Sequence, residues 1–242
     1  MSINAPQYLL HLLARTQAHG VRLMKARLET TKGFAHALEQ AEELARSSRS
    51  PKEPTNLPAQ RPTLFINSTG LGARPLCGPS DPSPPFPIRG QTVLVKGEAR
   101  STLTRVGANY RAYCIPRPGS GTTILGGTRE EGIWDCKPDE GVTREILERG
   151  RVLVPELLTG GDGGFEVLGV QCGLRPGREG GVRVEGEVVF GGGDDDGTGM
   201  RVVHCYGHAG AGYQNSVGSA RKVVGLVGEM LAEAATVVQA KL

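Results

Sequence analysis

"HCYGHAGAGYQNSVGSA", residues 204–220, reads as the end of an apolar strand, a turn holding Gly207, Gly210 and Gly212, and the start of a helix. A plain strand-to-helix connection needs one glycine at most. Three predict that main chain must come very close to another group, because a residue without Cβ presents no side-chain barrier. The helix that follows puts Val223, Val224, Leu226, Val227, Met230 and Leu231 on its predicted core side. Its N-terminus faces the turn, and the unpaired N–H groups there favour an electron-rich partner.

A second strand-and-turn of this kind lies upstream. "TLFINSTG", residues 63–70, is a buried strand ending in a glycine turn, the type that receives ligands in α/β sheets. Two helices are predicted before it: residues 6–18, with Leu9, Leu10, Leu12 and Leu13 on a wide apolar face and Asn4 as N-cap, and "GFAHALEQAEELARS" at 33–47. "VRLMKARL" at 21–28 alternates as a strand would. The proline-punctuated stretch 47–62 reads as an exposed loop.

From Arg89 onward the texture is β-rich. "QTVLVKG", "YRAYCIPRP", "TTILGGTR", "FEVLGVQCGLRP" and "VRVEGEVVF" are short runs separated by turn signals. One helix interrupts them at 138–157, with Pro138, Asp139 and Glu140 in its first turn. "FGGGDDDGTGM" at 190–200 reads as a solvated hairpin tip, since its aspartates lack the alternation of a calcium loop. The order predicts a mixed α/β fold: a split α/β domain, residues 1–76 with 191–242, into which an antiparallel β-rich domain, 77–190, is inserted.

The formal charge of +3 on 242 residues is too small to imply nucleic acid, and no apolar run is long enough to cross a bilayer. The opening "MSINAPQYLLHLLARTQ" has neither the basic start nor the cleavage site of a secretory signal. The five cysteines form no C-x-x-C pair, so neither zinc nor a redox dithiol is indicated, and free thiols in a reducing compartment are expected. No metal site is expected. Ala240, Lys241 and Leu242 are a conservative variant of the S-K-L peroxisomal address.

"FINSTGLGARPL", "PIRGQTVLV", "AYCIPRPGSGTTILGGTREEGIWD", "GLRPGREGGVRVE" and "VVHCYGHAGAGYQNSVGSA" together resemble, in order, the FAD-dependent D-amino-acid oxidases of fungal type, with D-aspartate oxidase as a close relative. The resemblance runs from about Asn4 to near the end of the chain. It implies a Rossmann-like FAD-binding domain carrying an inserted substrate domain. It also implies oxidation of D-amino acids to 2-oxo acids, ammonia and hydrogen peroxide. The family opens with a strand, a G-x-G-x-x-G turn and a helix that hold the FAD pyrophosphate, and nothing here matches that unit. The chain therefore looks like the C-terminal two thirds of such an oxidase, with only a remnant of the FAD-binding domain. A catalytically inactive fragment unable to hold FAD is the rival reading.

Residue by residue, the resemblance assigns Arg175 in "GLRP" to the substrate carboxylate, which a guanidinium fork matches bidentately. Tyr113 matches a tyrosine whose hydroxyl touches the same carboxylate; Tyr110 lies near a second such tyrosine but off register, and is expected in the core or at the surface. Gly210 falls where a main-chain carbonyl accepts the substrate amine, and Gly212, Tyr213 and Gln214 fall beside the flavin ring and its ribityl chain. Thr69 and Gly70 match a turn that contacts FAD. Leu28 matches a position near the adenine end, or is a core leucine. Arg89, Gly90 and Gln91 are read as structural, and His204, His208 and Trp134 as buried packing. Arg111 and Arg117 flank Tyr113 and keep D-aspartate open as substrate. The expected partners are a D-amino acid, oxygen and the peroxisomal import receptor, with a homodimer possible in the matrix of that organelle.

Overall fold

The computed structural model describes residues 2–47, 64–108, 110–190 and 199–239. By packing, the chain forms two units, Met1–Met24 with Pro87–Arg175, and Lys25–Phe86 with Pro176–Leu242. Helix α1 (Ala5–Ala18) belongs to the first unit, which the expected boundaries did not foresee. Asn4 does stand at its N-cap position, but its amide caps nothing; it donates to the Pro118 carbonyl at 3.1 Å. Leu9, Leu10, Leu12 and Leu13 all remain exposed.

The first unit is built on an antiparallel sheet of β2 (Phe86–Lys96), β3 (Leu103–Gly107), β4 (Tyr110–Arg117), β5 (Thr122–Gly126) and β6 (Glu130–Glu131), in the order β3-β4-β5-β2-β6; β7 (Val167–Gly177) also pairs with β2. Strand alternation sends Val93, Val95, Cys114 and Leu125 to one face. There they pack with Ile146 of α4 (Glu140–Leu153) and with Val154 and Leu157. The start of α4 is tied to β2 by fully buried Gln91. Its Nε2 donates to Asp139 O at 2.7 Å and Thr143 Oγ1 at 2.8 Å, while its Oε1 accepts from Asp139 N. The Asp139 carboxylate then accepts from Val142 N, which makes Asp139 the N-cap of α4 and not, as expected, a residue of its first turn. Strand β3, fully exposed, and the two-residue β6 carry no apolar pattern that sequence reading could detect.

The second unit is a three-stranded sheet, β1 (Phe65–Asn67), β9 (Met200–Tyr206) and β8 (Arg183–Val189). β1 runs parallel to β9, in the register Asn67 opposite His204, and β8 antiparallel. The β8–β9 pairing explains why residues 176–190 join this unit and not the β-rich one. One face of β9, with Val202 and Tyr206, packs on α2 (Phe34–Ser47) and α3 (Ala73–Cys77). The other, with Val203, packs on α5 (Gly212–Gln239) through Val223 and Met230. Leu226 and Val227 join that contact, but Val224 and Leu231 do not: both are exposed. Residues 21–28 form no strand. Val21, Leu23 and Met24 stay exposed, because an alternating pattern makes a strand only where a sheet edge accepts it. The loop at 48–62, the tip at 191–198 and Ala240, Lys241 and Leu242 lie outside the described residues.

Candidate active site

In the first unit, three glycines clear the floor on which the Tyr113 and Arg175 side chains lie. Register aligns Thr92, Gly126 and Tyr113 across β2, β5 and β4, so these side-chain positions share the face opposite α4. The Tyr113 ring crosses Gly126 and Gly127. A Cβ on Gly126 would lie 2.1 Å from the ring Cζ, and one on Gly127 would lie 2.9 Å from the hydroxyl. Two residues along β2, a Cβ on Gly90 would lie 1.9 Å from Nη1 of Arg175, so the guanidinium spreads over bare main chain on that same face. Arg175 donates through Nη1 to Thr128 O at 3.3 Å, a long bond. Among the described residues its Nη2 and Nε have no hydrogen-bond partner, and no carboxylate pairs with it. A half-buried fork with donors to spare is suited to a carboxylate brought from outside.

Strand parity puts Arg111, exposed, and Arg117, half-buried, on the Tyr113 face as well. Tyr110 goes to the other side, where Arg149 of α4 stacks 4.9 Å from its centroid. Arg89 is structural, as read: buried, paired with Glu130, and donating to the carbonyls of Asp135 at 3.0 Å and Lys137 at 2.6 Å. Trp134 corrects an expectation. It is exposed, on a stretch outside the sheet, and not buried packing.

In the second unit, the two quoted turns emerge from the carboxyl ends of the neighbouring parallel strands β1 and β9. This is where open α/β sheets receive ligands. Gly70 has φ +59° and Gly207 φ +87°, a backbone conformation open to glycine. A Cβ on Gly207 would also meet Arg178 Cβ at 2.9 Å. Thr69, Gly210, Gly212, Tyr213 and Gln214 all face solvent. The last three form the first turn of α5, whose leading N–H groups have no helical acceptor. Gln214 also lines a surface groove of about 400 Å³ with Asn215, Ser219 and Lys222. Leu28 is half-buried against the Phe34–Tyr206 cluster, the core alternative of its two readings.

A polar network beneath these turns was not legible in the sequence. Tyr206 donates to Asp81 Oδ2 at 2.7 Å, Arg178 binds the same carboxylate from Nη2 at 2.8 Å, and Arg183 donates to the Tyr206 oxygen at 2.9 Å. Arg183 reaches on to Glu187, which also bonds His204 Nε2 at 2.9 Å. His204 Nδ1 meets Asn67 Nδ2 at 3.2 Å, and Asn67 Oδ1 accepts from both the N–H and the hydroxyl of Thr69. The Thr69 N–H can only donate, which orients the Asn67 amide. Asn67 Nδ2 therefore donates to Nδ1 of a neutral His204, whose Nε2–H donates to Glu187. Burial, reinforced by the Arg183 charge, pushes the His204 pKa down and favours that form. Burial alone would raise Asp81, but bonds from Arg178, Tyr206 and the Ser83 N–H outweigh it and hold the carboxyl at about 2. His204 packs as expected, with the added task of anchoring the Thr69 turn through Asn67. His208 is fixed to α5 by a 2.8 Å bond to Ser219.

Uncommitted guanidinium donors lie on one sheet, and bare main chain lies at the carboxyl ends of parallel strands in the other unit. The chain matches the family described as DAO, FAD dependent oxidoreductase, over residues 1–226, and it belongs to that family. It is 38% identical over 221 residues to a D-amino-acid oxidase of Schizosaccharomyces pombe, covering 90% of this chain and 55% of the relative. A D-amino-acid oxidase of Fusarium vanettenii is 34% identical over 230 residues, covering 93% and 56%. A D-aspartate oxidase of Talaromyces thermophilus is 34% identical over 227 residues, covering 93% and 52%. The chain thus spans about half the length of the curated relatives it matches.

FAD is the family's cofactor, and the donor set at the two turns fits part of it. Main-chain N–H groups of the first turn of α5 and the Gln214 amide are uncharged donors, and the Thr69 hydroxyl oxygen, whose proton goes to Asn67, is an acceptor; such groups suit the heteroatoms of a flavin ring and ribityl hydroxyls. A glycine cradle for the phosphates is not in this sequence.

Proposed function

We propose that this chain carries the substrate grip and the flavin-ring contacts of a D-amino-acid oxidase, acting in the oxidative deamination of neutral D-amino acids to 2-oxo acids, ammonia and hydrogen peroxide. The observation that supports it most is the Arg175 guanidinium, half-buried over Gly90, with donors uncommitted among the described residues. Arg175 would bind the substrate carboxylate through two parallel N–H bonds, and Tyr113 would add its hydroxyl. That grip sets which hydrogen of the α-carbon is presented. The Gly210 carbonyl would accept from the substrate amine. Thr69, Gly212, Tyr213 and Gln214 would hold the ring of FAD, with Asn67 and His204 fixing Thr69 from below. When bound, FAD supplies the acceptor for the hydride leaving the α-carbon.

Arg111 and Arg117, on the Tyr113 face, support D-aspartate as an alternative substrate, since a second carboxylate would find a cation there. Delivery to the peroxisomal matrix through Ala240, Lys241 and Leu242, recognition by its import receptor, and a homodimer belong to the same proposal.

The test is to purify the chain, add FAD, and record the flavin spectrum and peroxide output with D-alanine and with D-aspartate. A bound flavin and peroxide from D-alanine are expected. Arg175→Lys should then raise KM at least tenfold, about 1.4 kcal/mol, because one ammonium cannot reproduce the fork. An unchanged KM would remove Arg175 from the site. A chain that leaves FAD free would be a non-catalytic piece, the rival reading.

A further inference from the structure

Asn67 of β1 stands opposite His204 of β9, and its side-chain amide has no hydrogen-bonding capacity left over. Oδ1 accepts the Thr69 N–H at 3.2 Å and the Thr69 hydroxyl at 2.8 Å. Nδ2 gives one hydrogen to Cys77 Sγ at 3.3 Å and the other to His204 Nδ1 at 3.2 Å. His204 Nε2 donates in turn to Glu187 Oε2 at 2.9 Å, which keeps the ring hydrogen on that nitrogen and leaves Nδ1 bare. The exposed Thr69 therefore spends its hydroxyl proton inward and shows only lone pairs to solvent.

We propose that Glu187, His204 and Asn67 are positioning residues that set the hydrogen-bond polarity of Thr69, and that one proton taken up by His204 reverses it. A proton from solvent on Nδ1 turns that nitrogen into a donor aimed at Asn67 Nδ2, which is also a donor. The pair is restored only if the amide turns over, bringing Oδ1 to the imidazolium and Nδ2 to Thr69. Nδ2 then faces the Thr69 N–H, donor against donor, and that bond is lost. The hydroxyl now accepts from Nδ2, so its own proton is free to point outward. The consequence for the cofactor rests on the flavin contact proposed above. With His204 neutral, Thr69 takes an N–H or O–H from the ring or ribityl chain; with His204 charged, it turns a hydrogen toward that N–H and repels it.

The groups around the imidazole restrain its charging. β8 supplies Arg183, Glu185 and Glu187, with Arg183 paired to both carboxylates. α2 supplies the Phe34 ring at 5.7 Å between centroids, β9 the Tyr206 ring at 5.8 Å, and α3 the Cys77 thiol through Asn67. Burial, with the Arg183 charge next, outweighs Glu187 and holds the His204 pKa below its ordinary 6.5. The reversal therefore belongs to acid pH.

The experiment needs no cofactor. In the isotope-labelled chain, long-range proton–nitrogen NMR reads which His204 nitrogen carries hydrogen, and amide exchange reads the protection of the Thr69 N–H as pH is lowered. A bare Nδ1 is expected at neutral pH. As His204 titrates below 6.5, Thr69 protection should fall about five- to tenfold with the same midpoint, the worth of one lost hydrogen bond. Glu187→Gln keeps an acceptor but removes the charge, so the midpoint should move further toward acid. His204→Asn carries an amide oxygen on the branch of Nδ1 and takes up no proton, so Thr69 should stay protected throughout, which a merely structural histidine would not give. The proposal is overturned if Nδ1 carries the hydrogen at neutral pH, if Thr69 protection ignores the His204 titration, or if His204 stays neutral until the chain unfolds. Loss of Thr69 protection in His204→Asn at the wild-type midpoint, with unchanged circular dichroism, overturns it as well. FAD added afterwards separates the two readings: a chain that never binds it refutes the flavin contact, while the Thr69 measurements stand.

Discussion

Replacing Asp81 by asparagine separates the charge of the buried network from its shape. Asp81 is 3% exposed, and its two oxygens take two bonds from Arg178, one from Tyr206 and one from the Ser83 N–H. Asparagine keeps the volume but turns one acceptor into a donor facing donors. Breaking a buried ion pair on one side costs about 3–5 kcal/mol at neutral pH. Part of that cost is electrostatic. The carboxyl is held at about 2 against an ordinary 3.8, and at about 1.36 kcal/mol per tenfold change in acidity this amounts to about 2.4 kcal/mol. Because the folded-state pKa is the lower one, this stability is complete above 3.8 and is lost as pH falls from there toward 2. By pH 3 about 1 kcal/mol of it should be gone. Urea unfolding of both proteins at pH 7, 4 and 3 measures this. The penalty of Asp81→Asn should be equal at pH 7 and near-equal at pH 4, then shrink by about 1 kcal/mol at pH 3. Other carboxylates and His204 titrate in both proteins and cancel to first order. A penalty that stays constant from pH 7 to 3 would show that the Asp81 carboxylate is not held low by its partners.

Gly90→Ala should act on substrate more than on folding. The new methyl meets the flexible tip of Arg175, which can swing aside, so the urea midpoint should drop by less than about 1 kcal/mol while KM for a D-amino acid rises several-fold; an unchanged KM would mean that Arg175 does not work from above Gly90. Asn67→Asp replaces the amide that donates to His204 by an anion, so the imidazole pKa, now depressed, should rise by about one unit or more in an NMR titration; a value at or below that of the wild type would contradict the assigned tautomer.

The sequence by itself determined the class of fold, because strand alternation, glycine turns and helix caps act over a few residues. "PDEGVTREIL" announced α4, and residues 204–220 announced the strand, turn and helix that close the chain. Motif order likewise marked Arg175, Tyr113 and the two turns. Only tertiary structure decided what depends on partners distant in the chain. Residues 21–28 alternate but find no sheet edge, Asn4 bonds Pro118 instead of its helix, and β8 leaves the β-rich segment to pair with β9. The same holds for Gly90 and Gly126, which look like ordinary strand residues until Arg175 and Tyr113 lie across them, and for the chain of bonds from Asp81 to Thr69. Local pattern sets which way a residue faces; what it faces is set by segments brought together by burial of the two cores.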